Sequence, residues 1–187
     1  FCSLPFALQW CNIHSIKSLE GKTVGIGTSN EGTYSTALYI QNSTKLSWNN
    51  KNLNSQDAMK ALLLDKIDAY FLVGAAPMQM LNINPAASPM KMQLSPLENI
   101  NGWADYYIPL TMAAKTYPWL NEDVSTYGVP SVIVVNKNKL TEKDIEDLKM
   151  WKAVTLENLE QLKINGHPSW KAATDGIWDS NIWPVLE

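Results

Sequence analysis

The 187-residue chain contains no arginine; all fifteen of its cationic side chains are lysines. That excludes a bidentate guanidinium fork, so a bound anion must be held by backbone N–H groups, hydroxyls, amides or lysine. Histidine is scarce, at His14 and His167 only, and neither an HExxH pair nor a GxSxG turn is present. The two cysteines, Cys2 and Cys11, leave room for one disulfide or for two separate thiols. With His14 they lack the close ligand pairs of a zinc site. No apolar run reaches the length of a membrane-spanning helix. The first eleven residues, FCSLPFALQWC, are apolar but have no basic region before them and are too short for a complete signal peptide. A basic stripe is missing as well: the net charge of −3 and the pI near 5.4 argue against a nucleic-acid partner. No metal, cofactor or catalytic residue is expected, and an enzyme using Cys2 or Cys11 as nucleophile is disfavoured because no base lies near either in sequence.

What the chain does have is a polar turn between two regular elements. Residues 22–41, KTVGIGTSNEGTYSTALYIQ, read as a short strand at 23–26, a glycine-punctuated turn at 27–32 and a helix opening at Thr33. Thr33 is expected to cap that helix. The free N–H groups of the first turn, with the positive end of the helix dipole, then make a cradle for an anion or carboxylate. Gly25, Gly27 and Gly32 miss the GxGxxG spacing, and Thr33-Tyr34 stand where a P-loop needs Lys-Ser/Thr, so nucleotide loops are excluded.

Along the rest of the chain strands alternate with helices, which predicts an α/β protein. Strands are expected at 5–13, 45–48, 68–73, 90–94 and 129–135, the last being the most β-like run. Helices are expected after Ser55 (as cap), over 75–81 and 96–107, and from a capping box at Thr141 and Asp144 to about residue 164. Residues 49–54 read as an Asn-rich turn and 108–124 as loop. The eight tryptophans and seven tyrosines are mostly core and lobe packing, Trp170, Trp178 and Trp183 among them. Tyr34, Tyr117 and Trp119 are set apart because each lies in or beside a loop able to face a cleft. Met78, Met80, Met90 and Met92 read as core filler. Polar cradles at strand–helix junctions without a catalytic constellation describe a binding protein.

Four blocks then resemble one family. GKTVGIGTSNEGTYSTA, DAMKALLLDKIDAYFLVGAAP, TYPWLNEDVSTYGVPSVIVV and Asn165-Gly166-His167-Pro168 are similar, in order, to segments of TAXI-type solute receptors of TRAP transporters. The resemblance implies a periplasmic binding protein of type II, two lobes joined by a hinge and closing on a small polar ligand of the organic acid or amino acid class. It implies membrane subunits of a TRAP transporter as partners and a periplasmic location. It divides the chain into 1–17 (first lobe), 18–122 (second, inserted lobe) and 123–187 (return strand and C-terminal helices of the first lobe), with the first lobe incomplete at its N-terminus. Ligand contacts carried over are Thr28, Ser29, Asn30, Glu31, Gly32, Thr33 and Tyr34 at the turn, Gly74 at a strand end, and Thr116 and Tyr117 on a hinge-side loop. Glu31 replaces the family's serine and would repel a ligand carboxylate if it faced it; an amine or a neutral polar group then becomes the better ligand. The same fold serving as the extracytoplasmic input of a signalling receptor is the alternative.

Overall fold

The computed structural model describes residues 2–9, 13–84, 92–130, 133–167, 170, 171 and 173, with backbone alone for 2–9 and 130. Cys11, Met90, Trp178 and Trp183 lie outside the described residues, as does the side chain of Cys2. The chain divides into two compact units: Ser3–Val129, and Pro130–Glu187 with Phe1–Cys2.

In the larger unit the elements follow as β1 (Cys2–Gln9), β2 (Thr23–Gly25), α1 (Gly32–Thr44), β3 (Asn49–Lys51), α2 (Ser55–Leu63), β4 (Ala69–Gly74), β5 (Gln93–Ser95), β6 (Ile108–Met112) and β7 (Val124–Pro130). The architecture is mixed α/β, as expected. Strand order is β3-β2-β4-β1-β7-β6, with β5 also on β1. β2 runs parallel to β3 and β4; β1 runs antiparallel to β4, and β6 to β7.

The apolar run Ala69-Tyr70-Phe71-Leu72 explains the layering. Side chains alternate across a strand, so Tyr70 and Leu72 enter one core with Ala58, Met59 and Leu62 of α2. Ala69 and Phe71 enter another with Val24, Ile26, and Ala37 and Ile40 of α1. The β2–α1–β3 and β3–α2–β4 connections cross the sheet in opposite directions, and right-handed crossovers then put α1 and α2 on opposite faces. Burying one large apolar side chain is worth roughly 1.5–3 kcal/mol. An exposed pair such as Lys22–Asp68, at 3.8 Å, contributes about 0–1 kcal/mol. Core packing therefore decides the fold of this unit.

Several elements differ from expectation, each for a local reason. Lys45 ends α1 in the left-handed region (φ 61°), so the strand forms not at 45–48 but in the Asn-rich stretch Asn49–Lys51, through main-chain pairing with β2. Asn54, not Ser55, caps α2, its side chain accepting from the Asp57 N–H at 2.9 Å. Residues 75–81 and 96–107 form only short 3-10 turns, Gln79–Leu81 and Ile100–Gly102. β6 occupies a stretch read as loop; its Pro109 is exposed on the terminal strand of the order, where a missing N–H costs nothing. The late strand is Val124–Pro130, and Ile133 and Val134 beyond it are exposed and in no strand. The β6–β7 ladder ends at Ile108↔Gly128, so nothing in that hairpin continues it.

The smaller unit contains α3 (Glu142–Glu157) and α4 (Leu159–Asn165). The expected capping box is present: the Thr141 hydroxyl accepts from the Asp144 N–H, and the Asp144 carboxylate from the Thr141 N–H. The Thr141 hydroxyl also donates to the Asp144 carboxylate at 2.6 Å, and this bond, with the one from the Thr141 N–H, holds the Asp144 carboxyl below its usual range. The box therefore supports the helix start above the ordinary carboxylate range and fails as pH falls through that lowered value. The single expected helix is broken at Asn158, whose side-chain amide donates to the Val154 carbonyl at 2.8 Å. Neither helix buries a side chain among the described residues. Ile145, Leu148, Met150, Trp151, Val154 and Leu156 spread around α3 instead of forming one stripe.

Gly25 faces the α2 side, where an added Cβ would lie 2.8 Å from Tyr70 Cβ and 3.2 Å from Ile67 Cδ1. Gly25→Ala is expected to destabilise by about 1–3 kcal/mol through overpacking, read as a lower urea midpoint with an unchanged slope.

Candidate functional site

The connection leaving β2 turns toward β3, while the chain leaving β4 moves to the other side of the sheet. Between their C-terminal ends lies the point where an open α/β sheet offers a crevice. The β2–α1 turn fills one side of it. Gly27, at φ 82°, starts the turn in a conformation suited to glycine. Glu31 occupies the N-cap position of α1, yet its side chain bonds no helix N–H. It folds back, and Oε2 accepts from the Thr28 N–H at 2.7 Å, a short charge-assisted bond. The Thr28 N–H is thus removed from the donors expected of the cradle. The N–H groups of Gly32 and Thr33 make no hydrogen bond among the described residues, as the first turn of a helix leaves them.

Thr33 does not cap the helix. It is buried, and its Oγ1 accepts from the Val73 N–H at 3.1 Å. The β2–β4 ladder stops at Gly25↔Tyr70, so Val73 lies past its end, and the threonine hydroxyl serves in place of a strand. This bond joins the start of α1 to the end of β4, one residue before Gly74. Ser29, Asn30 and Gly32 are exposed at the turn, while Thr28, Glu31 and Tyr34 are half-buried. Tyr34 packs against the core beneath α1.

Gly74 is covered by Met78: a Cβ added there would lie 2.9 Å from Met78 Sδ and Cε. Thr116 bonds locally, its hydroxyl donating to the Ala113 carbonyl at 2.7 Å. Tyr117 has no exposed surface, stacks on Trp119 with centroids 5.4 Å apart, and its hydroxyl accepts from the Met78 N–H at 3.0 Å. Burial raises its hydroxyl pKa above the ordinary tyrosine value, while the Met78 hydrogen bond opposes that shift. The structure thus brings together residues 28–34 and the end of β4; the Tyr117 hydroxyl bonds the Met78 N–H beyond that strand end, and Thr116 bonds within its own turn. Val73 and Met78 are the participants that sequence reasoning missed. Val73 contributes a backbone N–H, which no residue type announces, and Met78 reads as core filler until its neighbour Gly74 is seen.

The resulting chemistry suits binding. Helix N–H groups supply positive potential, Glu31 supplies a negative charge beside them, and the turn contains no lysine. Among the described residues, no group of three or more His, Cys, Asp or Glu side chains could hold a metal. Thr33→Val keeps the side-chain shape but removes the acceptor for Val73. It is expected to cost about 1 kcal/mol for the half-buried N–H left unpaired, with faster hydrogen exchange at Val73 than at Phe71 as the local signature.

Comparison with solved structures finds low-identity likenesses. An ancestral arginine-binding protein bound to glutamine is 16% identical, with a TM-score of 0.48 over 89% of this chain and 61% of the other. The arginine-, lysine-, histidine-binding protein ArtJ from Geobacillus stearothermophilus is 16% identical, with a TM-score of 0.49 over 89% and 60%. The GluR0 ligand-binding core from Nostoc punctiforme, in complex with L-glutamate, is 17% identical, with a TM-score of 0.44 over 92% and 59%. The chain spans about three-fifths of the length of these structures. No curated protein sequence matches it. A family match covers residues 4–182, and on that match the chain belongs to the NMT1-like family.

Proposed function

We propose that this chain is a ligand-capturing receptor whose β2–α1 turn takes a small zwitterion of the amino acid class and presents it to a membrane transporter. The observation that carries this reading is Glu31, folded into the turn beside the free N–H groups of Gly32 and Thr33. A dicarboxylate would gain from the helix terminus and lose against Glu31. An amino acid can set its carboxylate on the N–H groups and its ammonium toward Glu31, matching both charges. Hydroxyls of Thr28 and Ser29 and the Asn30 amide complete a donor set that needs no arginine. Residues 18–122 are the ligand-carrying lobe in this reading. The four sequence blocks similar to TAXI receptors support a TRAP-type transporter as the membrane partner and an extracytoplasmic location. No step of the proposal requires bond making, and the chain acts as a receptor, not an enzyme.

Calorimetric titration of the full chain with L-amino acids and with succinate tests this. Saturable binding of at least one amino acid, tighter than succinate, is expected. Glu31→Gln keeps an acceptor for the Thr28 N–H but removes the charge, and should weaken amino acid binding about tenfold or more while narrowing the gap to succinate. Gly32→Ala, where an added Cβ meets nothing within 4 Å, should leave stability unchanged or slightly higher and weaken binding by crowding the approach to the helix terminus. Succinate binding tighter than every amino acid, or indifference to Glu31→Gln, would sink the reading.

A further inference from the structure

The chain leaving β4 passes through residues 75–81 with almost no regular structure of its own; only Gln79–Leu81 forms a 3-10 turn. Two aromatic side chains hold it. The Met78 N–H donates to the Tyr117 hydroxyl at 3.0 Å, and the Trp119 Nε1–H donates to the Leu81 carbonyl at 2.7 Å. The two rings lie parallel, 5° apart in plane. Both belong to a tight turn closed by the Lys115 N–H on the Leu120 carbonyl and the Leu120 N–H on the Tyr117 carbonyl. Each aromatic grips a backbone group of the segment, so the grip is independent of the side chains the segment carries. Tyr117 is fully buried, with its hydroxyl already engaged, and offers no surface to a ligand. The side chain it places is that of Met78, half-buried and lying against Gly74, one residue past the Thr33–Val73 bond.

We propose that Tyr117 and Trp119 are positioning residues that latch the segment after β4, and that the Met78 thioether they hold over Gly74 is the specificity-determining wall at this strand end. The assignment of the wall rests on the functional reading above; the latch does not. A flexible, polarisable thioether in place of an open glycine surface narrows the room for a ligand's side group and makes that wall apolar. The ligand class implied is an amino acid whose side group is small or apolar where it passes β4.

Two measurements on the full chain test this. In native-state hydrogen exchange, Tyr117→Phe should speed exchange of the Met78 amide about tenfold, one hydrogen bond being lost, while the Val73 amide stays unchanged. An unchanged Met78 rate, or an equal rise at both amides, overturns the latch. In titrations with L-amino acids, Met78→Ala should shift the rank order toward larger side groups, Met78→Leu should restore the native order, and Tyr117→Phe should flatten the order without reversing it. A native rank order in Met78→Ala overturns the wall. Failure of the native chain to bind any amino acid overturns the functional reading and the wall together, while the exchange measurement still decides the latch.

Discussion

Strand β4 is buried on both faces, and most of the larger unit follows from that one constraint. A strand with Tyr70 and Leu72 in one core and Phe71 and Ala69 in the other needs a helical cover on each side. The covers α1 and α2 come from successive crossovers, which right-handedness sends to opposite faces only if they cross the sheet in opposite directions. That requirement places β2 between β3 and β4, with β4 running on past the end of β2 to meet the start of α1. The meeting of the β2–α1 turn with the end of β4 is a consequence of core packing. The Thr33–Val73 hydrogen bond then fixes the helix start against the strand end, so the polar turn inherits the rigidity of the buried sheet.

The charge pattern of the turn is unusual for a helix terminus. A carboxylate at the N-cap position commonly accepts from the helix's own N–H groups, which would satisfy those donors and close the site. Glu31 accepts from Thr28 behind it instead. The geometry depends on Gly27, because a Cβ there would lie 2.9 Å from Glu31 Oε2 and 3.0 Å from Thr33 Cβ. One glycine thus lets the carboxylate fold back and the threonine reach the strand. The first-turn N–H groups stay available with a negative charge beside them, and that combination favours a ligand carrying both signs.

Much of this was legible in the residues. The alternation of strands and helices as far as β4, the strand–turn–helix around Gly27 and the capping box at Thr141 are local patterns, and these survive translation into structure. What could not be read was decided by partners distant in sequence. β3 is an exposed Asn-Asn-Lys stretch whose strand character comes only from pairing with β2. β6 carries a proline that reads as loop until its terminal place in the sheet is known. Thr33 looks like a cap because a threonine before a helix usually is one; its bond to a residue forty positions away carries no local signature. Tyr117 drew attention as an aromatic near a loop, and only the Met78 amide facing its hydroxyl shows what the ring does.

Where the donors are backbone groups, selectivity has few side chains in which to reside. The N–H groups of Gly32 and Thr33 present the same potential whatever ligand arrives, and no substitution short of proline removes them. Discrimination among ligands must then come from the side chains that border them. On the proposed reading, Glu31 sets which charges are tolerated, and Met78 sets how much room remains at the strand end. Both are held by neighbours that need touch no ligand: Gly27 and the Thr28 N–H for the first, Tyr117 for the second, with Trp119 holding the segment at Leu81. In such an arrangement the lining residues can be replaced singly while the frame is kept. A change of ligand preference then requires no change of fold.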